Sequence, residues 1–258
     1  MRIITYNIYG MQGYPAEVAA TVLGPRGSET HLAHYARTLD GLAADIIVLQ
    51  EGVQQTVARD LARLLQRHLA TFVSPTAFPG HILSRFPILE SRTFSHVHAE
   101  EDVPPFSRNA GAALLEVAED RHLWIVDVHL HPGDIDMRQR EADQLRGRLE
   151  GLLGECANAI VLGDFNCPVE EGGIHTHLVE LGFTNAMQAV GGGLQLTMNT
   201  AGIRDWIIDH IYVSPDMTPT LREATVIRDP GFRTDPPRPD GCWDHSDHLP
   251  VRADLDWP

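Results

Sequence analysis

The sequence predicts an α/β fold in which two mainly antiparallel β-sheets pack against each other with helices on the outside. Three observations predict it. Short apolar runs of strand length recur along the chain, and most are separated by hairpin-length loops. Amphipathic helical segments join only some of them, unlike the strict alternation of a βαβ chain. Several apolar runs also end on a carboxylate, a carboxamide or a histidine, which gathers polar groups at strand ends.

Residues 2–9 read as a buried strand, and residues 10–30, punctuated by Gly and Pro, as a long loop with one helical turn. Apolar spacing is helical over 31–42, and "DIIVLQE" at 45–51 is a short buried strand. A second amphipathic helix over 54–69 places Val57, Leu61, Leu64 and Leu65 on one face. Strands are expected near 71–74, 80–84, 88–94, 110–117 and 123–130, then a polar helix over 136–153. "AIVLGDF" (159–165) is a strand, 174–181 a helix, and strands near 206–213, 221–227 and 250–255 finish the chain. With no clear linker, repeat or low-complexity segment, one domain over 1–258 is expected.

The hydrophobic fraction of 43% is enough for a full core. No 18-residue apolar run exists, so no membrane span is expected, and "MRIITYNIYG" lacks a signal-peptide core, which favours a cytoplasmic location. The formal charge is −15, and all 20 basic residues are Arg. That balance repels long polyanions and argues against a DNA-coating protein. Cys156, Cys167 and Cys242 lack C-x-x-C spacing, so a disulfide framework or structural zinc is not expected and a reducing compartment is favoured. The chain is expected to act as a monomer.

In "IVLGDFNCP" (160–168) an apolar strand runs into Asp164 and Asn166, which period-two alternation points to the same side. Other strand ends repeat the pattern: Asn7 in "TYNI", Glu51 in "VLQE", His129 in "DVHLH", Asp209 in "WIIDHIYVSP", and Asp247 and His248 in "DHSDHLPV". Singly, each has an ordinary structural reading as a turn, a cap or a satisfied buried acid. Together, acids at the ends of buried strands need a shared compensator, and oxygen-rich ligands suit a hard divalent ion.

The ordered set "TYNI", "LQE", "LSRFPI", "VHL", "GDFN", "IDHIYVS" and "SDHLPV" resembles the endonuclease/exonuclease/phosphatase superfamily from about residue 3 to 255. The resemblance implies a four-layer α/β sandwich with the site at one edge, where strand ends meet. It implies Glu51 as the principal metal ligand with Asn7 beside it, and Asp247 holding a metal or its water. Asp164 would orient or deprotonate the attacking water, and Asn166 would hold a phosphate oxygen. Asp209 would fix the orientation of His248, while His129 and His248 would contact the phosphoryl oxygens. The implied cofactor is Mg2+ or Mn2+, as one or two ions.

Arg108 and Asn109 in "PFSRNAG" are candidate substrate contacts, and His131 lines the edge of the site or shapes its loop. "HLHPGD" (129–134) invites a zinc-hydrolase reading, but Ile135 stands where a metallo-β-lactamase-type motif needs another histidine. The loops at 11–30, 98–108 and 229–245 are expected to carry specificity, with Phe106, Phe232 and Trp243 as possible apolar contacts. The resemblance leans toward the deoxyribonuclease, sphingomyelinase and phosphatase branches, because Tyr9 and the "VHL" histidine depart from the abasic-site endonuclease pattern. The expected function is metal-dependent hydrolysis of phosphate esters, by a phosphodiesterase or phosphatase acting on small or lipid-derived substrates. A DNA or RNA nuclease and a non-catalytic binding module on the same scaffold are the alternatives.

Overall fold

The computed structural model describes residues 1–95, 105–200, 204–234 and 239–257. Its elements run β1 (Arg2–Asn7), α1 (Ala16–Leu23), α2 (Glu29–Gly41), β2 (Ile46–Gln50), α3 (Gln55–Leu64), β3 (His68–Phe72), β4 (Gly80–Ser84), β5 (Ile88–Thr93), β6 (Asn109–Ala118) and β7 (Arg121–His129). They continue with α4 (Ile135–Glu155), β8 (Ala159–Asp164), α5 (Ile174–Glu180), β9 (Thr184–Asn185), α6 (Ala186–Val190), β10 (Met198–Thr200), β11 (Arg204–Trp206), β12 (Asp209–Val213), β13 (Leu221–Val226) and β14 (Val251–Leu255).

One six-stranded sheet has the order β13-β14-β1-β2-β4-β3, and the other β5-β6-β7-β8-β12-β9. Each is antiparallel except for one pair near its middle, β1 with β2 and β7 with β8. Strand alternation explains the layering. On β7, Leu123 and Ile125 pack into the core shared with the first sheet, while Trp124, Val126 and Val128 pack with Leu145, Leu149 and Leu152 of α4. On β8, Ile160 and Leu162 face inward, and Ala159 and Val161 face the helices. Leu39 of α2 and Leu61 of α3 join the core on the first sheet's side. Fully burying one such side chain contributes about 1.5–3 kcal/mol, so a register slip, which would exchange the two faces, is strongly disfavoured.

The result is the expected four-layer sandwich, with local corrections. The segment at 10–30 holds more than one helical turn: "AEVAATVL" forms α1, as its alanines favour, and the Ser28 Oγ accepts the His31 N–H at 3.3 Å to cap α2. The helix expected over 54–69 stops at Leu64, because Gln66 takes a left-handed φ of 53° that turns the chain into β3. The strand expected over 206–213 is two. β11 belongs to a separate ribbon with β10, and β12 begins only at Asp209. The break is fixed by the Thr197 hydroxyl, which accepts the N–H groups of Ile208 (3.1 Å) and Asp209 (3.0 Å). No described helix is long and apolar enough to cross a membrane.

Candidate active site

The inward rows of the central strands change character at one end. Ile3 gives way to Thr5 and Asn7 on β1, Leu162 to Asp164 on β8, and Ile125 to Asp127 and His129 on β7. The pairing then sets these ends side by side: Asp209 lies opposite Asp164, and His129 beside it on the other flank. The core that buries the strands therefore also delivers the polar groups.

Asp164 is the hub. Its Oδ2 accepts the Asn7 Nδ2–H at 3.0 Å, across the two sheets, and lies 3.6 Å from His129 Nε2 and 3.8 Å from His248 Nε2. Its Oδ1 accepts the Asn166 N–H at 2.9 Å. His248 Nδ1 is 2.9 Å from Asp209 Oδ2, so this ring spans two buried carboxylates. Its position is set by Ser246, whose Oγ donates to the Asn7 carbonyl at 2.7 Å and accepts the His248 N–H at 3.1 Å. The end of β14's leading loop is thereby fastened to the end of β1.

The electrostatics divide the site. Burial alone would lower the His248 pKa, but Asp209 and Asp164 outweigh it and hold the ring well above its ordinary value. Burial raises Asp164 to about 7, against the pull of His248. His129 is driven well below the ordinary imidazole value by burial, then by Arg108 and His248, so it is neutral. Burial raises Glu51 as well, and Asp247 adds to that, while His248, Asn7 and Arg108 pull it back only in part.

Glu51 follows the last residue of β2 with a left-handed φ of 47°, and its carbonyl accepts the Gly10 N–H at 2.6 Å. That conformation costs a non-glycine residue energy and turns the carboxylate away from the strand's alternation. The donor set near it suits a hard divalent cation: an acid left short of positive charge by its protein neighbours, a second acid at Asp247, and the Asn7 carboxamide. Ligand atoms of Asp164, Asp209 and His248 also come within 4.8 Å of one another, but His248 is held protonated there, and a ligating histidine must be neutral. The Glu51 side is therefore the better cation site.

The structure thus brings Asn7, Glu51, His129, Asp164, Asp209 and His248 together. Arg108 joins them: its guanidinium carbon lies 3.8 Å from the centre of the Phe78 ring, whose edge meets His129, and its charge is felt at Glu51 and His129. Asn166 is adjacent but does not continue β8. The strand ends at Asp164, Asn166 takes a left-handed φ of 53°, and its amide donates to the Leu130 carbonyl at 2.9 Å. The same-side argument from strand alternation fails there because the strand has already stopped.

Three expected substrate contacts sit elsewhere. Asn109 is fully buried and gives its amide to Asp127 Oδ2 at 2.9 Å, beneath the site. His131 shapes its turn: its Nδ1 accepts the N–H groups of Gly133 (3.2 Å) and Asp134 (3.0 Å). Trp243 packs against His34 and His245, with centroids 5.6 and 5.2 Å away, and beneath Gly13. Phe106 and Phe232 are core residues. Residues 98–104 of one proposed specificity loop lie outside the described residues.

Sequence reasoning missed a cleft of about 460 Å3 beside Asn166, with apolar walls from Ile135, Val169, Leu194, Trp206 and Ile207. Arg138, Glu170, Glu171 and Asp205 also line it, and Arg138 is engaged by Glu171 at 2.7 Å. The only sequence hint was the apolar "WII" before Asp209.

The chain matches the family described as Endonuclease/Exonuclease/phosphatase over residues 4–248. It belongs to this family. No curated protein matches the sequence. Among solved structures with this fold is a mannosyl-6-phosphatase from Bacteroides thetaiotaomicron, 17% identical with a TM-score of 0.75, covering 100% of both chains. A 3′ phosphatase, NExo, from Neisseria is 20% identical with a TM-score of 0.73, also over 100% of both chains. Truncated TDP2 from Caenorhabditis elegans is 18% identical with a TM-score of 0.70, over 98% of this chain and 96% of that one. This family member thus shares its four-layer sandwich with proteins named for different activities.

Proposed function

We propose that this family member hydrolyses phosphate esters with Mg2+ or Mn2+, as one or two ions, and that its substrates are small or lipid-derived. The observation that carries the reading is the convergence on Asp164 of groups from separate strands and the 246–248 turn: Asn7 at 3.0 Å, His129 at 3.6 Å and His248 at 3.8 Å. Glu51, with Asn7 and Asp247, would hold the ion, which when bound would draw negative charge from the phosphate and polarise the ester. Asp164, raised by burial, accepts a proton from the attacking water. Asn7 holds the carboxylate in place. His248, kept cationic by Asp209 and Asp164, and Arg108 offer positive charge to the phosphoryl oxygens, where charge grows in the transition state. Asn166 borders both Asp164 and the neighbouring cleft, and would hold a phosphate oxygen at that junction.

The cleft supports a small organic group over a polynucleotide. Its volume of about 460 Å3 suits a small molecule, part of its wall is apolar, and its net acidic lining, Glu170, Glu171 and Asp205 against Arg138, would repel a neighbouring phosphodiester. The chain's charge of −15 acts in the same direction. A non-catalytic binding module on this scaffold would have no need of the assembled His248–Asp209 pair.

The test is a panel of aryl phosphate mono- and diesters, with and without Mg2+ or Mn2+, alongside supercoiled DNA. Metal-dependent ester turnover that stops on chelation is expected. Rapid DNA nicking at physiological salt would favour the nuclease reading, and normal turnover by Asp164→Ala or His248→Ala would exclude the roles given above.

A further inference from the structure

Behind the candidate site a chain of polar side chains crosses between the sheets. Thr5 Oγ1 donates to Gln50 Oε1 at 3.1 Å, Gln50 Nε2 donates to Asp127 Oδ1 at 2.7 Å, and Asn109 Nδ2 donates to Asp127 Oδ2 at 2.9 Å. All four residues are fully buried. Gly80 makes room for the pair at the end of this chain: a Cβ there would stand 1.9 Å from Asp127 Oδ2 and 2.3 Å from Asn109 Nδ2. A polar network packed this tightly into a core restricts each member to one arrangement.

Among the buried side-chain atoms without a hydrogen-bond partner in the described residues are Asn109 Oδ1 and His129 Nδ1. They belong to residues that face each other directly across β6 and β7. Directly opposed residues have Cβ atoms about 4.5–5.5 Å apart, so a small side-chain rotation brings their tips together. While Asp127 is ionised the Asn109 amide cannot be reversed, since its carbonyl would then face the carboxylate. Its free side is therefore an acceptor. A neutral His129 carrying its proton on Nε2 would set a bare Nδ1 against that acceptor and leave both buried atoms unsatisfied, at about 1–3 kcal/mol each. A proton on Nδ1 satisfies both.

We propose that Asn109, oriented by Asp127, is a positioning residue that holds His129 as the Nδ1–H tautomer and leaves its Nε2 lone pair to accept a hydrogen bond from a donor at the site, such as the attacking water. His129 Nε2 already lies 3.6 Å from Asp164 Oδ2, on the side away from Asn109. The consequence for turnover rests on the phosphate-ester reading, whereas the tautomer does not. Asp127 also joins His129 to β2, through Gln50, the strand's last residue and the neighbour of Glu51. The histidine and the cation-binding acid are thus registered against each other by one buried carboxylate.

The experiment is long-range 1H–15N NMR of the histidine rings in the full chain, with steady-state kinetics on an aryl phosphate ester. Wild type is expected to show His129 protonated on Nδ1 and bare on Nε2. In Asn109→Ala and in Asp127→Asn that tautomer should give way to a mixture, with kcat down about 10- to 100-fold and KM changed little. His129 protonated on Nε2 in wild type would overturn the proposal. So would a folded Asn109→Ala with unchanged tautomer and unchanged kcat. If wild type hydrolyses no phosphate ester, the hydrolase reading fails, and the NMR alone decides the pairing. If Asn109→Ala does not fold, the wild-type spectrum and Asp127→Asn decide it.

Discussion

Two acidic clusters lie side by side at the strand ends, and they solve the same physical problem differently. Asp164 and Asp209 are buried and share His248, which stands 3.8 Å from one and 2.9 Å from the other. Their compensating charge is supplied by the chain. Burial and the charge of Asp247 raise the cost of ionising Glu51, and the neighbouring charges offset that cost only in part. The chain supplies too little positive charge to offset that cost, and an oxygen-rich, part-exposed site suits a divalent ion. The contrast teaches that a carboxylate's role is set less by its burial than by whether the fold has already given it a cation.

The largest effects should come from breaking the internally compensated cluster. His248→Ala leaves two buried carboxylates facing each other. It should destabilise the protein by about 3–5 kcal/mol in thermal or urea unfolding and lower kcat by about 10²–10⁴-fold. Glu51→Gln should separate activity from stability. Turnover should fall about 10²–10³-fold, while the metal-free protein should unfold at the same temperature or higher, because repulsion from the Asp247 charge has been removed. Equal destabilisation by the two variants would erase the distinction between the clusters.

A smaller effect is the pH dependence of metal stabilisation. Glu51 is raised above the usual carboxylate value, so protons compete with the ion in the acid range. The folded state holds that proton more tightly than the unfolded chain, so without metal Glu51 favours folding less as pH rises through its folded pKa. Bound metal reverses this by requiring the carboxylate. At 100 times Kd the ion should add about 2.7 kcal/mol, and the rise in Tm on adding Mg2+ should be greater at pH 8 than at pH 5. An equal rise at both would place the ion elsewhere. The smallest effect is expected at the cleft. Trp206→Ala should raise KM for an aryl ester roughly three- to tenfold with kcat little changed.

Much of this was legible in the sequence because strand periodicity and end positions are local properties. "AIVLGDF", "DIIVLQE" and "DVHL" each announce a buried strand that stops on a polar group, and the order of the motifs fixed the family. What was not legible depends on where strands stop and what lies opposite. Asn166 reads as sharing a strand face with Asp164, but the strand stops at Asp164 and Asn166 is itself left-handed. Asn109 looked like a substrate contact beside Arg108, but the register turns it inward, onto Asp127. Asp127 carried a readable signal, two residues before His129 on the same strand face, yet only the cross-sheet contact to Gln50 gives it a role. Loop aromatics could not be ranked from composition: Phe106 and Phe232 belong to the core, and Trp243 packs on His34 and His245.

The most direct test of the two-cluster account is calorimetric titration of Mn2+ into wild type, Glu51→Gln and Asp209→Asn. The account predicts binding of one or two ions by wild type, loss of binding in Glu51→Gln, and retained binding in Asp209→Asn. No uptake by wild type, or a loss caused by Asp209→Asn with Glu51→Gln unaffected, would contradict it.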